Sequence, residues 1–221
     1  LNSNTKNSMP QPDSIAVNGK SMRNIMENSG YQPEALIDVE ALRYLYLSKT
    51  KKIKKSKSNS MTIDKNKILV LGDYLPNVTK STLFLLDQLD ESILLKYNII
   101  LKNHPAVNPI NTNLFLNFQI QETNLLLPEI LHSVDIVIAT INTAAAIESF
   151  AAGLPVITVL DDYNFNASPL RGENGAMFVS NKEELSEALF DIRIKTAINK
   201  ENNLFWVDPK LPRWQALIEK Q

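Results

Sequence analysis

The sequence predicts a doubly wound α/β domain on a parallel sheet, and three observations carry that reading. Short runs that are apolar on both faces recur, at residues 67–71, 97–101, 135–139 and 156–160. Between them lie segments with apolar residues at helical spacing, such as 80–89 with Leu83, Leu86 and Leu89. Strands buried on both faces and separated by helices belong to a sheet covered on both sides; a half-exposed antiparallel sheet would alternate apolar with polar residues.

Taken in order, residues 1–11 are polar, and residues 12–19 read as a short buried strand ended by a turn. A helix is expected over 21–29, with Met22, Ile25 and Met26 on one face and Gly30 placed to end it. Residues 35–47 alternate less cleanly and close on Tyr44 and Tyr46. The lysine- and serine-rich run that follows repels itself and cannot pack, so residues 49–66 are read as a linker between a unit at 1–48 and a domain at 67–221. The other reading of that run, a patch for nucleic acid or lipid headgroups, lacks any aromatic residue to stack on bases.

Beyond the linker the pattern becomes regular. Strands are expected at 67–71, 97–101, 115–120, 135–139, 156–160 and 176–179. Helices are expected at 80–89, 125–132, 142–152, 181–192 and 212–218.

Composition bounds the function. With 221 residues, of which 44% are hydrophobic and 21% charged, the chain can bury a core. Its formal net charge of -1 supplies no field to hold nucleic acid, so no nucleic-acid partner is expected. Cysteine is absent, which removes disulfides, thiolate metal sites and cysteine nucleophiles, and fits a reducing, cytoplasmic compartment. The two histidines, His104 and His132, are not closely paired, so no metal is expected. No stretch is long and apolar enough for a transmembrane helix, since the run 134–160 is broken by Asn142, Glu148 and Gly153 to Pro155. The chain starts with Leu1 and a polar run rather than a signal peptide, and a first residue other than Met suggests a fragment of a longer protein.

In a parallel sheet, ligands bind beyond the carboxyl ends of the strands, so the residues following each strand are the candidates. They are Gly72 and Asp73, then Lys102 to Pro105, then Thr140 to Thr143, and lastly the connection 161–171. Residues Thr140, Asn142 and Thr143 open a helix with hydroxylic and small side chains, with Asn142 or Thr143 as its cap. Such an end presents free N–H groups and partial positive charge to a phosphate. An ordinary capped helix packed on its sheet by alanines has the same sequence. Glu148 lies in an otherwise apolar helix, where a carboxylate is costly to bury without a partner, so it is expected to face a cleft or solvent. In a cleft it could accept the hydroxyls of a ribose. His104 can donate an imidazole N–H to phosphate, with Pro105 fixing the turn that aims it; otherwise it is a plain loop histidine. Arg171, in a polar connection long enough to form a lid, could neutralise a phosphate or sugar carboxylate, or be solvated.

The segment Ala146-Ile147-Glu148-Ser149-Phe150-Ala151-Ala152-Gly153-Leu154-Pro155-Val156-Ile157 resembles the E-A-x-A-x-G-x-P-V-I stretch of glycosyltransferases with the GT-B fold. That resemblance implies two facing Rossmann-like domains, of which residues 67–221 are the carboxy-terminal, donor-binding one. It also assigns Glu148 to the donor ribose. Retaining members often carry a second Glu eight residues earlier, where this chain has Thr140. Lys102-Asn103-His104-Pro105 resembles the His-Pro motif of bacterial sialyl-, Kdo- and CDP-glycerol transferases, which use cytidine nucleotide donors. By that likeness His104, with Thr140, Asn142 and Thr143, holds the nucleotide phosphates. The stretch 12–19 with Asn28 to Tyr31 resembles the end of the amino-terminal domain of these enzymes. The acceptor side would then be mostly missing, and with it the catalytic base, so no base is named.

The expected partners are a nucleotide sugar, plausibly CMP-linked, and a saccharide or lipid-linked acceptor at the inner face of the membrane. GT-B enzymes generally work without a bound metal, and no cofactor is expected. Two rivals stay open: a UDP-sugar 2-epimerase or hydrolase of the same architecture, and a nucleotide-binding module without turnover.

Overall fold

The computed structural model describes residues 12–48, 65–115, 117–141, 143–160, 165–194 and 204–219. The chain divides into two compact units, Leu1–Lys51 with Glu201–Gln221, and Lys52–Lys200. The run read as a linker lies almost entirely outside the described residues, as do Asn142 and residues 161–164.

The smaller unit is a single parallel βαβ turn closed by the carboxy-terminal segment. Strand β1 (Ile15–Val17) pairs with β2 (Leu36–Asp38), Ile15 opposite Leu36. Helix α1 (Lys20–Asn28) connects them and ends at Gly30, whose φ of 92° lies in the left-handed region open to glycine. Arg23 ties this helix to the second strand, donating to Asp38 Oδ1 at 2.8 Å and Leu36 O at 3.0 Å.

The carboxy-terminal segment belongs to this unit, a difference from the expected domain span of 67–221. Trp206 N–H donates to Asn18 O, and Ala41 N–H donates to Trp206 O. Helix α7 (Pro212–Ile218) begins on the buried carboxylate of Glu40, which accepts the N–H groups of Arg213 and Trp214 and the Arg213 guanidinium at 3.1 to 3.2 Å. A carboxylate there answers the free N–H groups and partial positive charge of a helix start. Burial pushes the Glu40 carboxyl up, but these donors outweigh it and hold it below the ordinary carboxylate range. The partner for this helix stands 173 residues upstream, beyond what local sequence pattern can show.

The larger unit is the doubly wound domain. Its six strands, all parallel, run in the order β5-β4-β3-β6-β7-β8. They are β3 (Asn66–Leu71), β4 (Tyr97–Lys102), β5 (Ile120–Glu122), β6 (Ile136–Thr140), β7 (Val156–Val159) and β8 (Met177–Val179). The helices are α2 (Pro76–Asp87), the short α3 (Glu91–Leu94) and α4 (Leu127–Ile130), then α5 (Ala144–Ala151) and α6 (Lys182–Ile194). On one face Ile68, Val70, Ile136, Ile138 and Ile157 meet Leu83 and Leu86 of α2 and Leu185 and Leu189 of α6. Because side chains alternate along a strand, Leu69, Val137 and Val156 turn to the opposite face, and α5 packs against β6 and β7.

One expected strand is displaced. The sequence places a strand over 115–120, but β5 begins only at Ile120. Phe115 instead fills an aromatic cluster, with its ring 5.0 Å from Phe84 and 6.2 Å from Phe118. Apolar content there serves packing of a loop, which periodicity does not separate from a strand.

Chain order across the sheet reverses between β3 and β6. Successive strands step outward from β3 through β4 to β5, and the chain then returns to the other side of β3 for β6. At such a switch point the connections leave on opposite faces and open a crevice beyond the carboxyl ends of the two strands.

Candidate functional site

The residues that end β3 and β6 meet at this switch point. Thr140, last in β6, donates its hydroxyl hydrogen to Asp73 Oδ2 at 2.5 Å. The other oxygen of Asp73 accepts Leu75 N–H at 2.9 Å, and the Asp73 N–H donates to Thr79 Oγ1 at 2.8 Å. Asp73, Thr79 and Thr140 are all buried, so the pair fixes the loop from Gly72 to Leu75 against the end of β6. Sequence reasoning singled out Asp73 and Thr140 separately and missed that they bind each other. It also expected Thr140 to serve phosphate; with its hydrogen on Asp73, that side chain offers only an acceptor to a ligand.

Gly72 permits the next contact. A Cβ there would lie 3.1 Å from His104 N and Lys102 O and 3.2 Å from Asn103 Cα, all backbone atoms. Glycine therefore lets the loops after β3 and β4 close on each other, and Gly72 N–H donates to Lys102 O at 2.8 Å. His104 is thereby held beside the switch point. Its Nδ1 accepts Ala106 N–H at 3.2 Å, which leaves the ring proton on Nε2 as the free donor in the neutral form. Tyr74, an exposed aromatic that sequence reasoning passed over, sets its ring edge-on to the imidazole with centroids 5.6 Å apart. Pro105 follows on the exposed turn.

Helix α5 starts from the same edge. Thr143 is its N-cap residue in extended conformation, and its hydroxyl makes no hydrogen bond back to the helix. Ala146 N–H donates to Thr143 O at 3.1 Å, so the first-turn N–H groups left for a ligand at the helix start are those of Ala144 and Ala145. Glu148, one turn further along, is 7% exposed, so the alternative of a solvent-facing carboxylate does not hold.

Two expected cations point elsewhere. Lys102 Nζ donates to Leu125 O at 2.6 Å and ties β4 to the start of the α4 segment. Arg171 is exposed and donates to Asn166 O at 3.1 Å, bracing its own connection. The structure thus gathers Gly72, Asp73, His104 and Thr140, sets Thr143 and Glu148 on the adjoining helix, and gives Lys102 and Arg171 structural partners. Asn142 lies outside the described residues. Among the described residues no three His, Asp or Glu side chains stand together as a metal site, and no helix is long and apolar enough to cross a membrane.

No protein-family model matches the chain, and no curated protein matches it. Solved structures do. UDP-GlcNAc 2-epimerase of Methanocaldococcus jannaschii, in complex with UDP-GlcNAc and UDP, superposes with a TM-score of 0.57 at 16% identity over 95% of this chain and 61% of that one. A UDP-N-acetylglucosamine 2-epimerase assigned in Listeria monocytogenes gives 0.55 at 15% identity, over 90% and 55% of the two chains. The glycotransferase of kitacinnamycin gives 0.51 at 12% identity, over 95% and 50%. The chain therefore spans about three fifths or less of the length of these proteins. Likeness at such low identity speaks to architecture, and the six-stranded parallel sheet with its reversal between β3 and β6 is that architecture. The chain has a GT-B glycosyltransferase-like fold, the architecture it shares with these two 2-epimerases and this glycotransferase over the part it covers.

Proposed function

We propose that the Lys52–Lys200 unit binds the nucleotide part of a nucleotide sugar and serves as the donor-binding half of a glycosyltransferase. The observation that carries this reading is the buried Glu148, set on a helix that starts at the switch-point edge and whose N-cap residue, Thr143, makes no side-chain hydrogen bond to it. A carboxylate in that place is suited to accept both ribose hydroxyls while phosphate rests on the helix start. His104 supports it, with Nε2–H available as a neutral donor to a phosphate oxygen. In the transfer, the bond from the anomeric carbon to the phosphate oxygen breaks and its electron pair leaves with the phosphate. An acceptor hydroxyl oxygen bonds to that carbon, and its proton goes to a base that a further domain would supply. Fixed donors aimed at the leaving oxygen lower the barrier because they need no reorganisation as charge develops.

The His-Pro pair at His104 and Pro105 favours a cytidine donor, a CMP-linked sugar, used for a bacterial surface polysaccharide at the inner face of the membrane. Calorimetry on the whole chain with CMP, CDP, UDP and GDP tests the reading. Binding of CMP or CDP in preference to the others is expected; folded protein that binds no nucleotide refutes the donor site. A second reading is a 2-epimerase or hydrolase acting on a nucleotide sugar without an acceptor, favoured by the 2-epimerase superpositions. Exchange of solvent deuterium into the sugar in the absence of any acceptor separates it from transfer.

A further inference from the structure

The Lys52–Lys200 unit holds a cavity of about 920 Å³ whose lining, among the described residues, includes none of those assigned above to the nucleotide. Its size is that of a small-molecule site, for which roughly 300–1,000 Å³ is usual. It begins beside the switch point: Leu75, whose N–H is bonded to Asp73, and Ile141, which follows Thr140, both line it. From there it runs along α2 past Val78 towards Leu160 and the fully exposed ring of Phe165.

The polar groups of the lining limit what it can hold. The hydroxyls of Ser81 and Thr82 donate to the helix carbonyls of Asn77 and Val78, so towards the cavity they offer acceptors. Asn181 Oδ1 already accepts Glu184 N–H, which leaves its amide N–H₂ and those of Asn77 and Gln88 as the neutral donors. Among the described lining residues the one cation, Lys182, stands 3.9 Å from Glu183, so no net positive field awaits a phosphate there. An anion would lose its hydration here with no net positive charge to replace it. A molecule that brings hydroxyl hydrogens and an apolar body matches it.

We propose that this cavity binds an uncharged, hydroxyl-bearing molecule with a largely apolar body, the chemistry of an acceptor alcohol, next to the nucleotide site rather than within it. Its role as the accepting substrate rests on the glycosyl-transfer reading; the binding does not, and it is measured without nucleotide so that either can fail alone.

The test is a titration of the full chain, methyl-labelled at Ile, Leu and Val, with n-octyl β-D-glucopyranoside below its micelle-forming concentration. Octyl sulfate, with the same tail and an anionic head, is the contrast. The expected result is saturable shifts at Leu75, Val78, Ile141 and Val159, with the glucoside bound at least about tenfold tighter, the worth of one or two net hydrogen bonds. Val78→Trp, which fills the cavity, should abolish those shifts; if that variant does not fold, Ser81→Trp at the exposed rim is read in its place. Equal binding of the two amphiphiles, shifts scattered over other surfaces, or undiminished binding by the filled variant would overturn the proposal.

Discussion

Thr140 Oγ1 donates a 2.5 Å hydrogen bond to Asp73 Oδ2 across 67 residues, joining the ends of β6 and β3 where the chain reverses its order in the sheet. Both side chains are buried, and the carboxylate also accepts Leu75 N–H. Removing either partner leaves the other with an unsatisfied polar group out of water. Thr140→Val should lower stability by about 2 kcal/mol, the range for a buried bond to a charged group. Denaturant unfolding of Thr140→Val, Asp73→Asn and the double variant should give a coupling energy above about 0.5 kcal/mol; additive losses would mean that the two do not act together.

Gly72→Ala should disturb the site more than the fold. The added Cβ meets three backbone atoms of residues 102–104 at 3.1 to 3.2 Å, so the loop carrying His104 must shift by a few tenths of an ångström. A stability loss of about 1–3 kcal/mol is expected for such overpacking. Backbone amide shifts centred on Lys102 to Ala106 should accompany it, and a spectrum unchanged there would contradict the close approach of the two loops.

In the smaller unit, Gly19→Ala puts a Cβ 1.8 Å from Leu204 O, a separation no relaxed structure allows. The carboxy-terminal segment should therefore be dislodged from β1. Trp206 and Trp214, the only tryptophans in the chain, report on it, and their emission should shift to the red. Native-like emission with full stability would show that the segment does not depend on that contact.

Glu40 gives the smaller unit an acid dependence with a definite sign. Burial raises its pKa, but the N–H groups of Arg213 and Trp214 and the Arg213 guanidinium lower it further, and the net shift is downward. A carboxyl with a depressed folded-state pKa adds stability that is fully present above its unfolded pKa and is lost as pH falls through the folded one. Tryptophan-monitored unfolding should weaken as pH drops below the ordinary Glu value of about 4.3. Glu40→Gln should cost about 1–3 kcal/mol at neutral pH, a figure kept low because Arg213 is partly exposed, and should flatten that dependence. An unchanged acid limb in the variant would assign it to other carboxyls.

Much of this architecture was legible from apolar periodicity alone. The strands at Asn66–Leu71, Tyr97–Lys102, Ile136–Thr140 and Val156–Val159 are continuous apolar runs because both faces of the sheet are covered. Leu185 and Leu189 announced α6 by the same logic. Features set by contacts distant in sequence were not legible: Glu40 at the start of α7, and Asp73 facing Thr140. Phe115 and Phe118 misled because aromatic packing of a loop and a buried strand draw on the same side chains. At the site, the resemblance of two short segments to glycosyltransferase motifs pointed to His104 and Glu148, but the hydrogen bonds that turn Lys102 and Arg171 to carbonyls of Leu125 and Asn166 appear only in three dimensions. Tyr74 carried no motif, and only its ring contact with His104 brings it forward.

The most direct test of the central claim is calorimetry of cytidine and uridine nucleotides against the whole chain and its His104→Ala and Glu148→Gln variants. The account predicts binding by the parent chain and a loss of about tenfold or more in each variant, the worth of one charge-assisted or well-placed hydrogen bond. It further predicts that the loss in Glu148→Gln shrinks for the 2′,3′-dideoxy nucleotide, which has no ribose hydroxyls for the carboxylate to accept. Equal affinity of parent and variants, or no binding by folded parent, would contradict it.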